Sequence, residues 1–229
     1  TVSTGTLRLG AAGGATNTPL GTNAGGVTVS SGAVLDLSTF ALGGASTFET
    51  LNLSGWGINN GGCLISSASS GSSFGATTIA ANALVENNGS GTLTFSGTIT
   101  AANNINLSVG GTGPTTVSGA YGASATSATV TKWEGGTLLF SNTNPTTGLY
   151  RVNGGTLRIS SATTMAAAAL TVAGGTFDLN GVTDTIGAIT VMSGTLTDSN
   201  GTPGALTGTA YTFYGGAISA VLGGTSIAM

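Results

Sequence analysis

Four stretches in the C-terminal half repeat one phrase: Trp133-Glu-Gly-Gly-Thr-Leu138, Val152-Asn-Gly-Gly-Thr-Leu157, Val172-Ala-Gly-Gly-Thr-Phe177 and Val191-Met-Ser-Gly-Thr-Leu196. The glycine before each threonine is Gly136, Gly155, Gly175 or Gly194, an almost even spacing. Short segments recurring at such a period describe one supersecondary unit repeated along an axis. Each unit can bury its apolar face only against the next.

Aligning the four units on these glycines turns the chain into columns. Three residues upstream stand Trp133, Val152, Val172 and Val191; two further back stand Thr131, Tyr150, Leu170 and Ile189; Lys132, Arg151, Thr171 and Thr190 lie between. Apolar, polar, apolar is the alternation of a strand with one buried face. The alignment therefore predicts Trp133, Val152, Val172 and Val191 as an inward ladder, with Lys132 and Arg151 adjacent and outward as a small basic spot. After the glycine, Leu138, Leu157, Phe177 and Leu196 form a second inward ladder, followed by an outward column of Leu139, Arg158, Asp178 and Thr197. The glycines at the corner supply positive φ and room for a tight turn.

The N-terminal half uses the same grammar with more drift. Short alternating pieces at 2–9, 27–37, 51–53, 62–65, 77–79, 91–95 and 105–109 are bounded by Gly, Ser, Asn or Pro. The expected architecture is all-β: a right-handed parallel β-helix, one continuous solenoid over 1–229, irregular over 1–128 and regular over 129–229. At a period of about 19.5 residues it would have roughly 12 coils and a length on the order of 55 to 60 Å. Loops are expected at 11–23, 41–47, 66–73 and 110–126, and 165–170 carries a hint of helix. The asparagine pairs Asn59-Asn60, Asn87-Asn88 and Asn103-Asn104 are expected at corners, where the left-handed region is tolerated.

Composition narrows the function classes. With four basic and seven acidic residues and no histidine, Arg8, Lys132, Arg151 and Arg158 are too few to neutralise a nucleic-acid backbone. The mean hydropathy is +0.37, yet no apolar run approaches the ~18 to 20 residues of a membrane-spanning helix, and the strands are too short and poor in aromatics for a membrane barrel. The single cysteine, Cys63, excludes an internal disulfide and reads as a small buried thiol.

The run from Gly135 through Gly-Thr-Leu-Leu-Phe-Ser-Asn-Thr-Asn-Pro-Thr-Thr-Gly-Leu-Tyr-Arg-Val-Asn-Gly-Gly-Thr to Leu157 resembles the bacterial autotransporter-associated β-strand repeat. Pieces at 19–37, 60–65, 90–97 and 175–187 carry the same Gly-Thr-Leu strand and Asn/Thr/Gly corner, so the resemblance covers most of the chain. It implies a right-handed parallel β-helix in long exported or cell-surface proteins, many of them adhesins or passenger domains. The translocator barrel of that family is not represented in these residues.

Chemistry is sparse. Asp178, Asp184 and Asp198 form the one carboxylate cluster placed to bind a metal or act as an acid, and solvated turn-capping is the competing role. Asp178 falls beside Arg158 on the neighbouring rung as an exposed pair worth at most about 1 kcal/mol. Without histidine there is no Ser-His or Cys-His nucleophile and no imidazole zinc site. The Thr-x-Thr pairs at Thr92/Thr94, Thr98/Thr100, Thr195/Thr197 and Thr207/Thr209 do not recur in register as an ice-binding array would. Tyr150, Tyr211, Tyr214, Trp56 and Trp133 are candidates for stacking on sugars; Trp133 is expected in the core, and Trp56, between Gly55 and Gly57, is the exposed candidate. Glycosylation triplets at Asn52, Asn88, Asn106 and Asn200 are as frequent as chance allows.

The chain opens in the second half of a coil and closes without a capping element, which predicts end-to-end stacking with itself or membership of a longer array. The expectation is thus a non-enzymatic extracellular or bacterial cell-surface structural protein, a fibre or stalk that needs no catalytic residue, metal or cofactor. An adhesin binding glycans is the alternative, and a polysaccharide-acting β-helix enzyme the second.

Overall fold

The computed structural model describes residues 1–44, 47–121, 127–142, 148–162, 165 and 168–224. The fold is a parallel β-solenoid. Among these residues twenty strands hydrogen-bond into one sheet wound along the axis, and none forms an α-helix.

Short apolar-polar-apolar segments separated by glycine can bury one face only by lying on the next copy of themselves, and they do so in parallel stacks. One stack holds Val27–Val29, Leu51–Gly55, the start of Thr77–Asn87, and Ile99–Ala101. A second runs from Gly5–Arg8 through Ala33–Asp36, Leu64–Ser66, the end of Thr77–Asn87, Asn106–Gly110, Thr129–Lys132 and Leu149–Val152 into Ala169–Asp178, Asp184–Thr197 and Ala205–Phe213. The third holds Ser72–Phe74, Leu93–Phe95, Thr115–Val117, Thr137–Phe140 and Thr156–Ile159, continuing into the ends of Ala169–Asp178 and Asp184–Thr197 and then Ala217–Ile218. Leu138, Leu157, Phe177 and Leu196 stand in register in this third stack, all buried. Beside them Phe74, Phe95, Val117, Phe140 and Ile159 form a parallel buried column, with the Phe74 and Phe95 rings edge to face at 4.5 Å.

The second stack has ten rungs, somewhat fewer than the roughly twelve coils expected. The short, even period holds only from Leu138 to Leu196. Thr115 pairs with Leu138, and Leu51 with Thr77, so these earlier coils are longer than the repeat that follows. Coils toward the N-terminus absorb their extra length in projections. Asn17–Thr18 pairs antiparallel with Gly21–Thr22, and Gly43–Gly44 with Thr47–Phe48, placing hairpins in the loops expected at 11–23 and 41–47. The loop expected over 110–126 instead contributes a rung, Thr115–Val117, while 122–126 lies outside the described residues. Of the hinted helix, Met165 and Ala168–Leu170 are described: Met165 is in a bend and Leu170 in a strand.

The inward ladder differs from expectation at one rung. In the second stack the column reads Leu7, Leu35, Leu64, Val85, Val109, Lys132, Val152, Val172, Val191 and Phe213. Lys132, not Trp133, is the neighbour of Val152. Lys132 stands four positions before Gly136, whereas Val152 stands three before Gly155, so this coil carries one extra residue. It is taken up at Trp133 and Glu134, where Glu134 turns with φ 57°. A one-residue slip sends each side chain to the opposite face. Trp133 is consequently 41% exposed and Lys132 only 1%. The expected Lys132/Arg151 basic spot is absent for the same reason, and Thr131 is the rung-mate of Arg151.

At the corners, space matters as much as φ. Gly155 and Gly194 have positive φ, of 57° and 83°, whereas Gly136 and Gly175 are not in that region. A Cβ on Gly136 would lie 2.3 Å from the Gly113 carbonyl oxygen, one on Gly155 2.3 Å from that of Gly136, one on Gly175 2.7 Å from that of Gly155, and one on Gly194 2.2 Å from that of Gly175. The repeated glycine is therefore a spine along which successive backbones touch. Asn59, Asn60, Asn104 and Asn180 adopt the left-handed region at other corners.

Candidate functional site

Three segments meet on the outer surface of the second stack. The first is the loop after Leu51–Gly55, which reverses through a 3₁₀ turn at Ile58–Asn60 and closes where Gly57 bridges Gly62. The Gly62 N–H donates to the Trp56 carbonyl at 3.0 Å, fixing the base of a loop that leaves Trp56 37% exposed. The second is the end of Thr77–Asn87, where Glu86 occupies an outward row between Ile65 and Gly110. The third is the bulge at Trp133 and Glu134, and the Trp133 N–H extends the pairing by donating to the Val109 carbonyl at 2.9 Å. Trp56, Asn60, Leu84, Glu86, Trp133 and Glu134 line an open cleft of about 210 Å³.

Gly110 makes the cleft possible. A Cβ there would stand 3.4 Å from Glu86 Oε1 and 3.5 Å from Glu134 Oε2, so both carboxylates converge on a gap in the side-chain row. Glu134 Oε2 accepts from the Gly111 N–H at 2.6 Å, and Glu86 Oε2 accepts from Asn88 Nδ2 at 3.1 Å. Burial raises the Glu86 carboxyl above its ordinary value; the Asn88 hydrogen bond opposes this, and the negative Glu134 adds to it. Behind the bulge, Lys132 Nζ donates to the carbonyl oxygens of Trp133 and, at 3.2 Å, Glu134. Burial lowers this ammonium to about 8, against the attraction of Glu134.

The aspartates do different work. Asp178 is 1% exposed, not solvated as expected. It accepts from Arg158 Nε at 2.8 Å, from Ser199 N and Oγ at 2.9 and 2.7 Å, and from Asn180 N at 3.0 Å. Burial opposes its charge, but the Ser199, Asn180 and Arg158 donors outweigh that and hold the carboxyl below its ordinary value. Asp36 repeats the device: Arg8 lies 3.4 Å away on the rung before, Ser38 N donates at 2.8 Å within the turn, and Ser67 Oγ donates at 2.8 Å from the rung after. Each aspartate thus ties three successive coils at a corner. Asp198 accepts from the N–H groups of Gly181, Asn200 and Gly204, and Asp184 from those of Met165 and Thr185. Among the described residues no three His, Cys, Asp or Glu side chains are placed to share a metal ion.

Of the remaining candidates, Tyr150 and Tyr211 are buried in the core, and Tyr214 is exposed. Cys63 is buried, and desolvation pushes its thiol up to about 12, far from a reactive thiolate. Thr28, Asn52, Thr78 and Thr100 form an outward row on the first stack, beside an open cleft of about 260 Å³ lined by Gly25, Gly26 and Thr50.

Glu86 and Glu134 escape a reading of the sequence, because they lie far apart along the chain and meet only across stacked coils. The one local signal is the extra residue between Lys132 and Gly136. Comparisons with family models, curated proteins and solved structures find no match to this chain.

Proposed function

We propose that the chain is the structural body of an exported or cell-surface protein, a β-solenoid rod without catalysis of its own, as its resemblance to autotransporter-associated repeats implies. The observation that carries this reading is how the polar chemistry is used. Asp36, Asp178 and Asp198 are engaged in joining one coil to the next, Asp198 through the Gly181 N–H, and the repeated glycines serve backbone contact between coils. A chain whose aspartates are committed to its own corners suits a scaffold better than a polysaccharide hydrolase or lyase, which needs an acid and a base converging on substrate. Antibody labelling of intact cells tests the location, and incubation of the purified protein with a glycan panel tests the class. Labelling without product release is expected; release that disappears in Asp178→Asn or Asp198→Asn would establish an enzyme.

A second reading, an adhesin that holds glycans or other small surface ligands, is favoured by one observation: both tryptophans of the chain are presented to solvent at a single cleft. Retention of a glycan on the panel without release would support it.

A further inference from the structure

The chain has four basic side chains, and each is placed away from Glu86. Arg8 faces Asp36, Arg158 faces Asp178, Arg151 Nε donates to Asn153 Oδ1 at 2.8 Å, and Lys132 is held behind the bulge by backbone carbonyls. Glu134 at least has the Gly111 N–H and the field of Lys132. Glu86 has only the neutral amide of Asn88, while it is largely buried and near a second carboxylate. A carboxylate drawn out of water beside another is costly unless a cation joins it. No cationic side chain of this protein is positioned to do so.

The walls define what kind of cation would fit. Trp56, Trp133 and Leu84 present apolar surface, and the indole face attracts positive charge, most strongly when that charge is weakly hydrated. A hard divalent ion requires six or more oxygen ligands, which two carboxylates among indoles do not provide. A neutral sugar could stack on the tryptophans but would leave the Glu86 charge unmatched. The volume of about 210 Å³ has room for several water-sized groups.

We propose that the cleft between Trp56 and Trp133 binds a small alkylammonium group, with its charge beside Glu86 and its methyl or methylene groups against the two indoles. The bulge that expels Trp133 from the inward column and the missing side chain at Gly110 then have one purpose: they open an acidic, aromatic-walled recess on an otherwise closed row. Failure of this proposal would leave the scaffold reading, which localisation and turnover decide, untouched.

Because both tryptophans line the cleft, intrinsic indole fluorescence reports on it directly. Titrating the purified protein with choline chloride or tetramethylammonium chloride should give a saturable emission change, with a Kd on the order of 1 mM. Sodium chloride at equal ionic strength should not. Glu86→Gln should weaken the response roughly tenfold while the far-ultraviolet dichroism stays that of the parent. Should that variant lose its fold, Gly110→Thr, which fills the gap from the strand centre, should abolish the response instead. Phosphatidylcholine vesicles distinguish the source: a response to vesicles and to free choline assigns a lipid headgroup, and a response to free choline alone assigns a soluble ligand. No saturable change up to about 100 mM, saturation by calcium chloride or glucose but not choline, or an unchanged affinity in a folded Glu86→Gln would each overturn the proposal.

Discussion

Asp178 and Phe177 are consecutive residues on one strand, yet both are inaccessible to solvent, for opposite reasons. Phe177 points into the core between Leu157 and Leu196, so Phe177→Ala should cost roughly 3 to 5 kcal/mol as a cavity. Asp178 points outward but is covered by Arg158 below and Ser199 above. Asp178→Ala should therefore cost about 2 to 3 kcal/mol, since it strands backbone donors and a guanidinium. Denaturation midpoints of the two variants check both figures. The folded carboxyl titrates below the ~3.9 of an unfolded aspartate, so its contribution is fully present above that value and is lost as pH falls through the lower, folded one. Asp178→Asn should accordingly lose less stability than the parent as the pH falls below about 4.

Lys132 is also shifted downward, but in a cation this disfavours the charged form. Burial lowers its folded pKa to about 8, against ~10.4 in the unfolded chain. Between those values the unfolded state holds more protons, so stability should rise with pH across that window. Melting temperatures of the parent and of Lys132→Met over that range test this. The parent should gain on the variant as the pH is raised, and parallel curves would show that the ammonium is not desolvated.

At the scale of the element, the corner determines how closely coils approach. Gly135 and Gly136 are neighbours with opposite requirements: a Cβ on Gly135 meets nothing within 4 Å, whereas on Gly136 it would press on the Gly113 carbonyl. Gly135→Ala should thus be nearly silent. Gly136→Ala should cost about 1 to 3 kcal/mol or more, because backbone cannot give way as a side chain does. Chemical denaturation of the pair is the measurement, and equal losses would mean that the spine is not in contact. The same corner shows how an element can change its exposed face without changing its strands, since one added residue before Gly136 reverses Lys132 and Trp133.

Across the whole molecule each coil contacts mainly the coils on either side, so damage should remain local. In Phe177→Ala, hydrogen exchange should accelerate in Thr156–Ile159 and Asp184–Thr197 and stay unchanged in Val27–Val29 and Leu51–Gly55, many coils away. A uniform rise would indicate a single cooperative unit instead. Ten rungs at ~4.8 Å make a rod of roughly 45 Å, shorter than twelve coils would give.

What the sequence determined by itself is the solenoid, because alternation and a glycine period are local properties: Leu138, Leu157, Phe177 and Leu196 align by counting alone. The number of turns, the inward place of Lys132, the burial of Asp178 and the convergence of Glu86 with Glu134 were decided only by the tertiary structure. Each depends on which residue a neighbouring coil brings alongside, and coils of unequal length bring different partners into register. Periodicity carries the repeat; insertions of a single residue, invisible to a period averaged over the chain, decide which side chains face outward and meet.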